Sequence, residues 1–245
     1  MVSLPAALTR VNGVPGGRTV RIIGRMTMTH WPLTGLRLRT PRLELRLPAL
    51  ADLDELAGLA AEGVHDPGVQ PFGVAWTDVP PEERARSVIQ FQLSQWGAWS
   101  PADWSLNLVA ILGDEIVGTQ GVAGRDFAVL REVSTGSWLG RRHQGQGLGT
   151  EMRAAVLHLA FAGLDAEYAT SNAFTDNPAS LGVSRKLGYL PDGIQRQVIR
   201  DRPAVLHLLR LDRAGWQACQ RVPVEITGLG PCLPSFGLPP ANLPA

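Results

Sequence analysis

The feature that most constrains the fold is a glycine-rich turn between a predicted strand and a predicted helix. Gly145, Gly147 and Gly149 alternate along this turn, after a strand predicted over 127–139 and before a helix predicted over 149–162. Glycine lets the backbone turn tightly and approach a ligand closely, and the first N–H groups of a helix have no partner within the helix. With the helix dipole, these amides favour a phosphate or pyrophosphate group. We therefore expect an anion-binding turn where a sheet meets a helix.

Several classes of ligand compete for this turn. A P-loop requires GxxxxGK[ST], but no lysine follows these glycines. A dinucleotide-binding turn requires GxGxxG in the first strand–helix–strand unit, whereas these glycines form GxGxG after several predicted elements. A turn without a ligand would cost backbone entropy at each glycine without an evident need. The three alternatives are thus disfavoured without being excluded, and the remaining interpretation is a pyrophosphate site of another kind, which the resemblance given below assigns to coenzyme A.

The rest of the chain predicts strands and helices in one domain, without repeats or an internal linker. Gly113 and Asp114 separate two alternating runs and predict a hairpin turn. The order of elements predicts an α/β fold on a mixed sheet. The predicted strands cover 36–47, 105–112, 115–122, 127–139, 168–174, 193–200 and 204–211, and the predicted helices cover 48–63, 81–99, 149–162, 178–187 and 211–220.

The two ends of the chain differ from this domain, which we expect to span 34–220. Residues 1–30 lack apolar periodicity and are expected to be disordered, with Met26 or Met28 as an alternative start of the protein. Residues 221–245 contain several prolines and glycines and are expected to form an extended tail.

Composition excludes several classes of function. The formal net charge is +1, so no overall charge favours a nucleic-acid or membrane partner. Cys219 and Cys232 are too few for a disulfide scaffold, and no Cys/His spacing or HExxH motif indicates a metal site. No apolar run of about 18 residues predicts a membrane span, and no signal-peptide core is present. We therefore expect a cytoplasmic protein without a metal.

A second motif follows the next predicted strand. Asn177 suits the N-cap of a helix, Pro178 suits its first turn, and Gly188 suits its C-terminal stop. Local capping thus explains much of the sequence from Asp176 to Tyr189.

These two motifs together resemble the GNAT superfamily of acyltransferases. The glycine turn matches the Gln/Arg-x-x-Gly-x-Gly/Ala signature with Gln144, Gly147 and Gly149 in register. A second register, with Arg142, Gly145 and Gly147, also fits. The first is preferred because it leaves an apolar residue to open the helix.

The second motif is similar to the Asn-x-x-Ser…Lys-Leu-Gly-Tyr/Phe stretch of the RimJ/RimL branch, which includes acetyltransferases of ribosomal-protein N-termini. The sequence over 38–46 is similar to that branch as well, and the resemblance covers about 34–216. Within the branch, several short stretches resemble actinobacterial members, of which at least one is regarded as dependent on succinyl-CoA.

The resemblance implies a single GNAT domain: a mixed, mostly antiparallel sheet, splayed at the acyl-CoA site, with helices on both faces. It implies an N-acyltransferase that moves an acetyl or succinyl group from acetyl-CoA or succinyl-CoA to a primary amine by direct attack on the thioester. It also implies that the chain could be a homodimer. The residues expected to bind the acyl donor are Trp138, Leu139, Arg142, Gln144, Gly145, Gln146, Gly147, Leu148, Gly149, Thr150, Asn177 and Ser180.

The chemistry requires three further groups. An amine must lose its proton to attack, so we expect a base, and Glu132 on the strand before the turn is the candidate. The Leu139 N–H is expected to stabilise the oxyanion. Many GNAT enzymes protonate the thiolate with a tyrosine, but this chain has none between Tyr168 and Tyr189, and Ser180 holds the nearby place.

A loop rich in aromatic residues is the candidate for the acceptor side of the site. His65, Asp66, Phe72 and Trp76 are expected to bind the amine substrate, because loops often carry function. His143 is expected to contact coenzyme A phosphates. The alternative to an enzyme is a non-catalytic acyl-CoA-binding or sensor module of the same fold.

Overall fold

The computed structural model describes residues 28–219 and 222–240. The expected disorder over 1–30 therefore falls, apart from 28–30, outside the described residues, as does the alternative start at Met26. At the beginning of the described part, the Met28 N–H donates to Thr34 Oγ1. No helix in the described ranges is both long and apolar enough to cross a bilayer.

The described residues build one continuous sheet. Its strands are β1 (Arg37–Arg39), β2 (Leu43–Arg46), β3 (Asp103–Leu112), β4 (Glu115–Arg125), β5 (Glu132–Leu139), β6 (Tyr168–Phe174), β7 (Leu190–Ile199), β8 (Arg202–Asp212) and β9 (Glu225–Thr227). They lie in the order β7-β8-β6-β5-β4-β3-β2-β1-β9. Within this described sheet, β5 and β6 pair in parallel and the other neighbours are antiparallel.

Strands β5 and β6 separate after a short ladder. Their pairing runs from Glu132 opposite Tyr168 to Ser134 opposite Thr170, and then ends. By contrast, β5 stays paired with β4 as far as Leu139. The sheet therefore opens between β5 and β6 toward the glycine turn, and the predicted splay is confirmed.

Helices cover both faces of the sheet. They are α1 (Leu50–Glu62), α2 (Pro81–Gly97), α3 (Phe127–Leu130), α4 (Leu148–His158), α5 (Pro178–Lys186) and α6 (Arg213–Cys219). Successive side chains along a strand point to opposite faces of the sheet, so neighbouring residues pack in the two hydrophobic cores on those faces. Val117 packs in the core that contains α4, and Ile116 packs in the smaller core beneath α1 and α2. The predicted α/β class with helices on both faces is confirmed.

Three sequence predictions about elements are wrong. The segment predicted as one strand over 36–47 forms β1 and β2, which pair with each other in antiparallel orientation. The strand predicted over 127–139 starts only at Glu132, because Asp126 and Arg131 adopt left-handed backbone conformations that enclose α3. The tail predicted over 221–245 adds β9 to the edge of the sheet and forms a 3-10 helix over Gly230–Phe236. That segment folds onto the domain because it buries apolar side chains and pairs the open edge of β1.

Candidate functional site

A groove of about 600 Å³ opens where β5 and β6 separate. The loop after α1 lies on one side, and the starts of α4 and α5 lie on the other. A volume of this size suits a small-molecule ligand. Among the predicted site residues, those that line it are His65, Phe72, Trp138, Leu139, Gln144, Gly145, Gly147, Gly149, Thr150, Asn177 and Ser180.

The glycine turn presents free backbone donors to this groove. The N–H groups from Gly145 to Gly149 have no hydrogen-bond acceptor among the described residues, and the first bonds of this turn come from Thr150 and Glu151 to the Gly147 carbonyl. Gly145 and Gly147 have φ values of 74° and 79°, a conformation that favours glycine. The turn therefore forms a cradle of amides at the start of α4, which suits a phosphate group.

An ion pair holds this cradle in place from the outside. The buried carboxylate of Glu151 accepts hydrogen bonds from Thr40 Oγ1 at 2.6 Å and from Arg42 Nε at 2.6 Å. Burial acts to raise the pKa of Glu151, but the hydrogen bonds from Thr40 and Arg42 outweigh it and the pKa is lowered. Arg42 also donates to the Gln146 carbonyl at 3.1 Å, so its half-exposed guanidinium lies beside the glycine turn.

The backbone of β5 offers a donor to the open gap. The Gly140 N–H points toward β4, where it donates to the Val117 carbonyl at 3.0 Å. Because successive N–H groups of a strand point to opposite edges, the Leu139 N–H points toward the gap with β6. Gln144 donates to the Leu139 carbonyl at 2.9 Å and to the Val64 carbonyl at 2.7 Å. Gln144 thereby ties the loop after α1 to the end of β5.

The start of α5 forms the opposite wall. The Asn177 side chain accepts the Ser180 N–H at 3.0 Å, which is the capping role expected from the sequence. Both residues also line the groove, so the cap and the ligand site are built from the same side chains. The hydroxyl of Ser180 has no partner within the described part of the protein.

The aromatic loop covers one side of the groove. The centroid of the Phe72 ring lies 5.7 Å from that of His65 and 5.2 Å from that of Trp76. The Trp76 ring in turn lies 5.8 Å from Trp138, centroid to centroid. The structure therefore brings Trp76 behind the groove wall, where it supports Trp138. Asp66 caps a turn through the Gly68 N–H at 3.0 Å and does not line the groove.

Hydrogen bonds fix both nitrogens of His65. Nδ1 lies 2.8 Å from the Asp66 carbonyl oxygen, which requires Nδ1 to donate. Nε2 lies 2.7 Å from the Thr77 hydroxyl oxygen.

An ion pair between residues far apart in the sequence anchors the aromatic loop to the β7–β8 hairpin. Arg200 donates to both carboxylate oxygens of Asp78, at 2.5 and 2.8 Å, and to the Pro67 carbonyl at 3.0 Å. The hydrogen bond from Arg200 lowers the pKa of Asp78. The aromatic loop is thereby held closed over the groove.

The structure does not bring Glu132 to the groove. It begins β5, at the end of the strand where β5 and β6 are still paired. Its carboxylate lies 3.5 Å from the guanidinium of Arg210. The position of Glu132 therefore does not support the expected role as the base, because alternation along a strand gives the face of a residue but not its distance from the site.

Several residues next to the glycine turn point elsewhere. Arg142 pairs with Glu62 and, at 2.7 Å, with Glu115, and this hydrogen bond lowers the pKa of Glu115. His143 is buried with its Nε2 3.4 Å from the same Glu115. Neither side chain lines the groove, so their expected contact with phosphate is not supported.

Two other predicted ligand-binding residues have structural roles. Leu148 is 1% exposed and packs in the core beneath α4. The Gln146 side chain donates to the Arg142 carbonyl at 2.9 Å and lies outside the groove. Neither residue lines the groove, so the expected contact of their side chains with the acyl donor is not supported.

Sequence reasoning missed a buried arginine in the groove. Arg153 lies on α4 and lines the groove beside Thr135 and Lys186. Its side chain donates to Ser184 Oγ at 2.8 Å and to Ser171 Oγ at 3.3 Å. Helical spacing from the glycine turn could have indicated that Arg153 faces inward, one turn beyond Gly149.

Comparison with known proteins agrees with this geometry. A family model described as an acetyltransferase (GNAT) domain matches residues 42–190, more than half of the chain. The protein belongs to the GNAT acetyltransferase family. The splayed sheet and the glycine turn are therefore those of a GNAT domain, and acetyl-CoA is the donor that such acetyltransferases use.

Solved structures share this fold at low sequence identity. A GCN5-related N-acetyltransferase from Brucella melitensis is 18% identical with a TM-score of 0.59, and 75% of this chain and 81% of that chain are covered. A ribosomal-protein-S5-alanine acetyltransferase from Vibrio fischeri is 15% identical with a TM-score of 0.57, covering 74% and 98%. RimL, a ribosomal L7/L12 alpha-N-protein acetyltransferase in complex with coenzyme A, is 19% identical with a TM-score of 0.54, covering 70% and 94%.

Within residues 28–219 and 222–240, no group of three or more His, Cys, Asp or Glu side chains could hold a metal ion.

Proposed function

We propose that this GNAT protein is an acyl-CoA-dependent N-acyltransferase that transfers an acetyl or succinyl group to a primary amine by direct attack on the thioester. The observation that carries the proposal is the run of free amides from Gly145 to Gly149 at one end of the groove. These amides fit the pyrophosphate of coenzyme A, because they combine free donors with the dipole of α4.

The gap between β5 and β6 suits the pantetheine and the thioester. A strand edge without a neighbour offers backbone donors and acceptors to an extended ligand. The Leu139 N–H points into this gap and would stabilise negative charge that develops on the thioester oxygen. Trp138 and Phe72 enclose the gap from the aromatic side.

Ser180 is the candidate for the leaving group. Its hydroxyl lies in the groove wall at the first turn of α5. A serine hydroxyl is a weak acid, so its contribution would be a hydrogen bond to the departing thiolate rather than a full proton transfer.

His65 replaces Glu132 as the candidate base. None of the described residues that line the groove is a carboxylate, and His65 is the side chain there with an imidazole nitrogen that can accept a proton. Its Nε2 contacts the Thr77 hydroxyl.

The alternative is a non-catalytic acyl-CoA-binding module of the same fold. The groove residues that the structure describes include no carboxylate, and α5 has no tyrosine. Such a protein would bind coenzyme A thioesters at the glycine turn without turning them over.

Three further proposals concern the amine acceptor, the cellular location and the oligomeric state. Similarity to RimL and to the alanine acetyltransferase supports a RimL-like branch, and with it a protein N-terminus as the acceptor. A small-molecule amine is the other candidate. We also propose a cytoplasmic homodimer by analogy with RimL-like proteins; light scattering on the purified protein would reject the dimer if it gave the mass of one chain.

The test is release of coenzyme A from acetyl-CoA and succinyl-CoA, with a panel of N-terminal peptides, lysine peptides and polyamines. We expect Ser180→Ala to lower kcat about tenfold to a hundredfold, with little change in KM for the donor, because the hydrogen bond forms to the leaving group. Ser94→Ala, on an exposed part of α2, is the matched control and should have no effect. Binding without turnover by any amine would favour the non-catalytic module.

A further inference from the structure

Arg153 is a cation in the interior of the protein. Its side chain is on α4, and the residue is 4% exposed. Burial lowers the pKa of its guanidinium, yet arginine remains protonated inside proteins. A charge in this position is costly unless an anion accompanies it.

The protein itself supplies no such anion. Over the described residues, no carboxylate lies within 4 Å of Arg153, and its Nε has no hydrogen-bond partner. Its contacts are the neutral hydroxyls of Ser184 and Ser171. Other arginines near the groove differ in this respect, since Arg42 pairs with Glu151 and Arg200 pairs with Asp78.

Arg153 also belongs to the wall of the groove. Its neighbours there include Thr135 on β5 and Asn172 on β6, beside the gap between the two strands. Behind them, the Thr135 hydroxyl lies 3.2 Å from the phenol oxygen of Tyr189. This end of the groove is polar and positively charged, which suits an anion better than it suits a methyl group.

We propose that Arg153 binds a carboxylate at the far end of the acyl chain, so that the donor is a coenzyme A thioester of a dicarboxylic acid, with succinyl-CoA as the probe. The inference deepens the proposed function and rests on it, because the thioester must lie in this groove. A guanidinium binds a carboxylate through two hydrogen bonds, and the ligand would thereby neutralise the buried charge.

The pyrophosphate is the other anion that coenzyme A could offer. The free amides that suit it lie at the start of α4. The guanidinium of Arg153 is instead directed at Ser171 on β6 and at Ser184 in the second half of α5. The acyl carboxylate therefore explains Arg153 better than a phosphate does, and the two assignments predict different binding data.

The experiment measures dissociation constants by calorimetry on the full chain, for coenzyme A, acetyl-CoA, butyryl-CoA and succinyl-CoA. Butyryl-CoA has a chain of similar length without the charge. We expect the wild-type protein to bind succinyl-CoA about tenfold to a hundredfold more tightly than butyryl-CoA, the range of one charge-assisted hydrogen-bonded pair. This comparison needs no variant, so it decides the matter even if Arg153 is required for folding.

Variants then assign the effect to one side chain. Arg153→Met should reduce the ratio of succinyl-CoA to butyryl-CoA affinity to about one, with the affinity for coenzyme A itself unchanged. Arg125→Met is the matched control, because Arg125 forms an exposed pair with Asp103 on β3. It should leave all affinities unchanged.

The outcomes are distinguishable. If coenzyme A and its thioesters all fail to bind, the proposed function is wrong. If they bind but succinyl-CoA has no advantage over butyryl-CoA, the role of Arg153 is wrong. An equal loss of affinity for coenzyme A and for every thioester in Arg153→Met would assign Arg153 to the phosphates instead, and an advantage that persists in this variant would assign the carboxylate to another residue.

Discussion

Single side chains in this protein serve both the fold and the groove. Glu151 shows this at the start of α4, where its carboxylate binds Thr40 and Arg42 and thereby fixes the loop beside the glycine turn. Asn177 does the same for α5, since it caps the helix and lines the groove. Loss of either side chain would therefore affect stability before it affects chemistry.

Glu151→Gln should reduce the free energy of unfolding by about 1 to 3 kcal/mol at neutral pH, because a buried hydrogen-bonded charge is removed and Arg42 loses its partner. The pKa of Glu151 is lowered in the folded protein, so its contribution is present above its pKa in the unfolded chain and is lost as the pH falls through the folded value. The difference between wild type and variant should therefore shrink below about pH 4.5.

Urea denaturation at several pH values would measure this difference. Glu167→Gln is the control, because Glu167 is exposed and its removal should change little at any pH. A difference between wild type and Glu151→Gln that stays constant down to pH 3 would contradict the account.

The β3–β4 hairpin could be predicted from the sequence, whereas the elements after residue 221 could not. The β3–β4 hairpin is specified locally, by Gly113 with its positive φ of 63° between two alternating runs. Strand β9 is specified by the open edge of β1, which lies far away in the sequence, with Arg37 opposite Thr227. The prolines and glycines that suggested a tail instead permit the 3-10 turn that carries Phe236 into the core.

Phe236→Ala should cost about 3 to 5 kcal/mol in the free energy of unfolding, the range for removal of a buried phenylalanine. The ring of Phe236 is fully buried, and its centroid lies 4.8 Å from the ring centroid of Trp104 and 5.8 Å from that of Trp99. Thermal and urea denaturation would measure the loss. Phe91→Ala on α2 is the control, since Phe91 is 50% exposed, and an equal loss in both variants would show that the C-terminal segment does not anchor the fold.

At the scale of the whole molecule, the groove exists because the sheet opens at one place. The sequence could predict which segments meet there, because the glycine turn and the cap at Asn177 are local patterns. It could not predict that Glu132 lies at the paired end of β5, or that Arg153 is buried, since both depend on how β5, β6 and α5 are arranged around the gap. The base and the acyl end of the site are therefore the parts that required the structure.

Titration with coenzyme A tests the central claim, that the glycine turn binds the pyrophosphate of an acyl-CoA, most directly. We expect coenzyme A to raise the melting temperature of the wild-type protein, whereas NAD and ATP should not, because ligand binding stabilises the native state. Gly147→Ala should weaken this binding about tenfold, since alanine is strained at the φ of 79° that Gly147 adopts.

Gly149→Ala is the matched control, because a methyl group there would make only ordinary contacts, at 3.7 Å from Leu139 and 3.9 Å from Val183. It should bind coenzyme A nearly as well as the wild type does. A stabilising effect of NAD or ATP without one of coenzyme A, or full coenzyme A affinity in Gly147→Ala, would contradict the assignment of the groove.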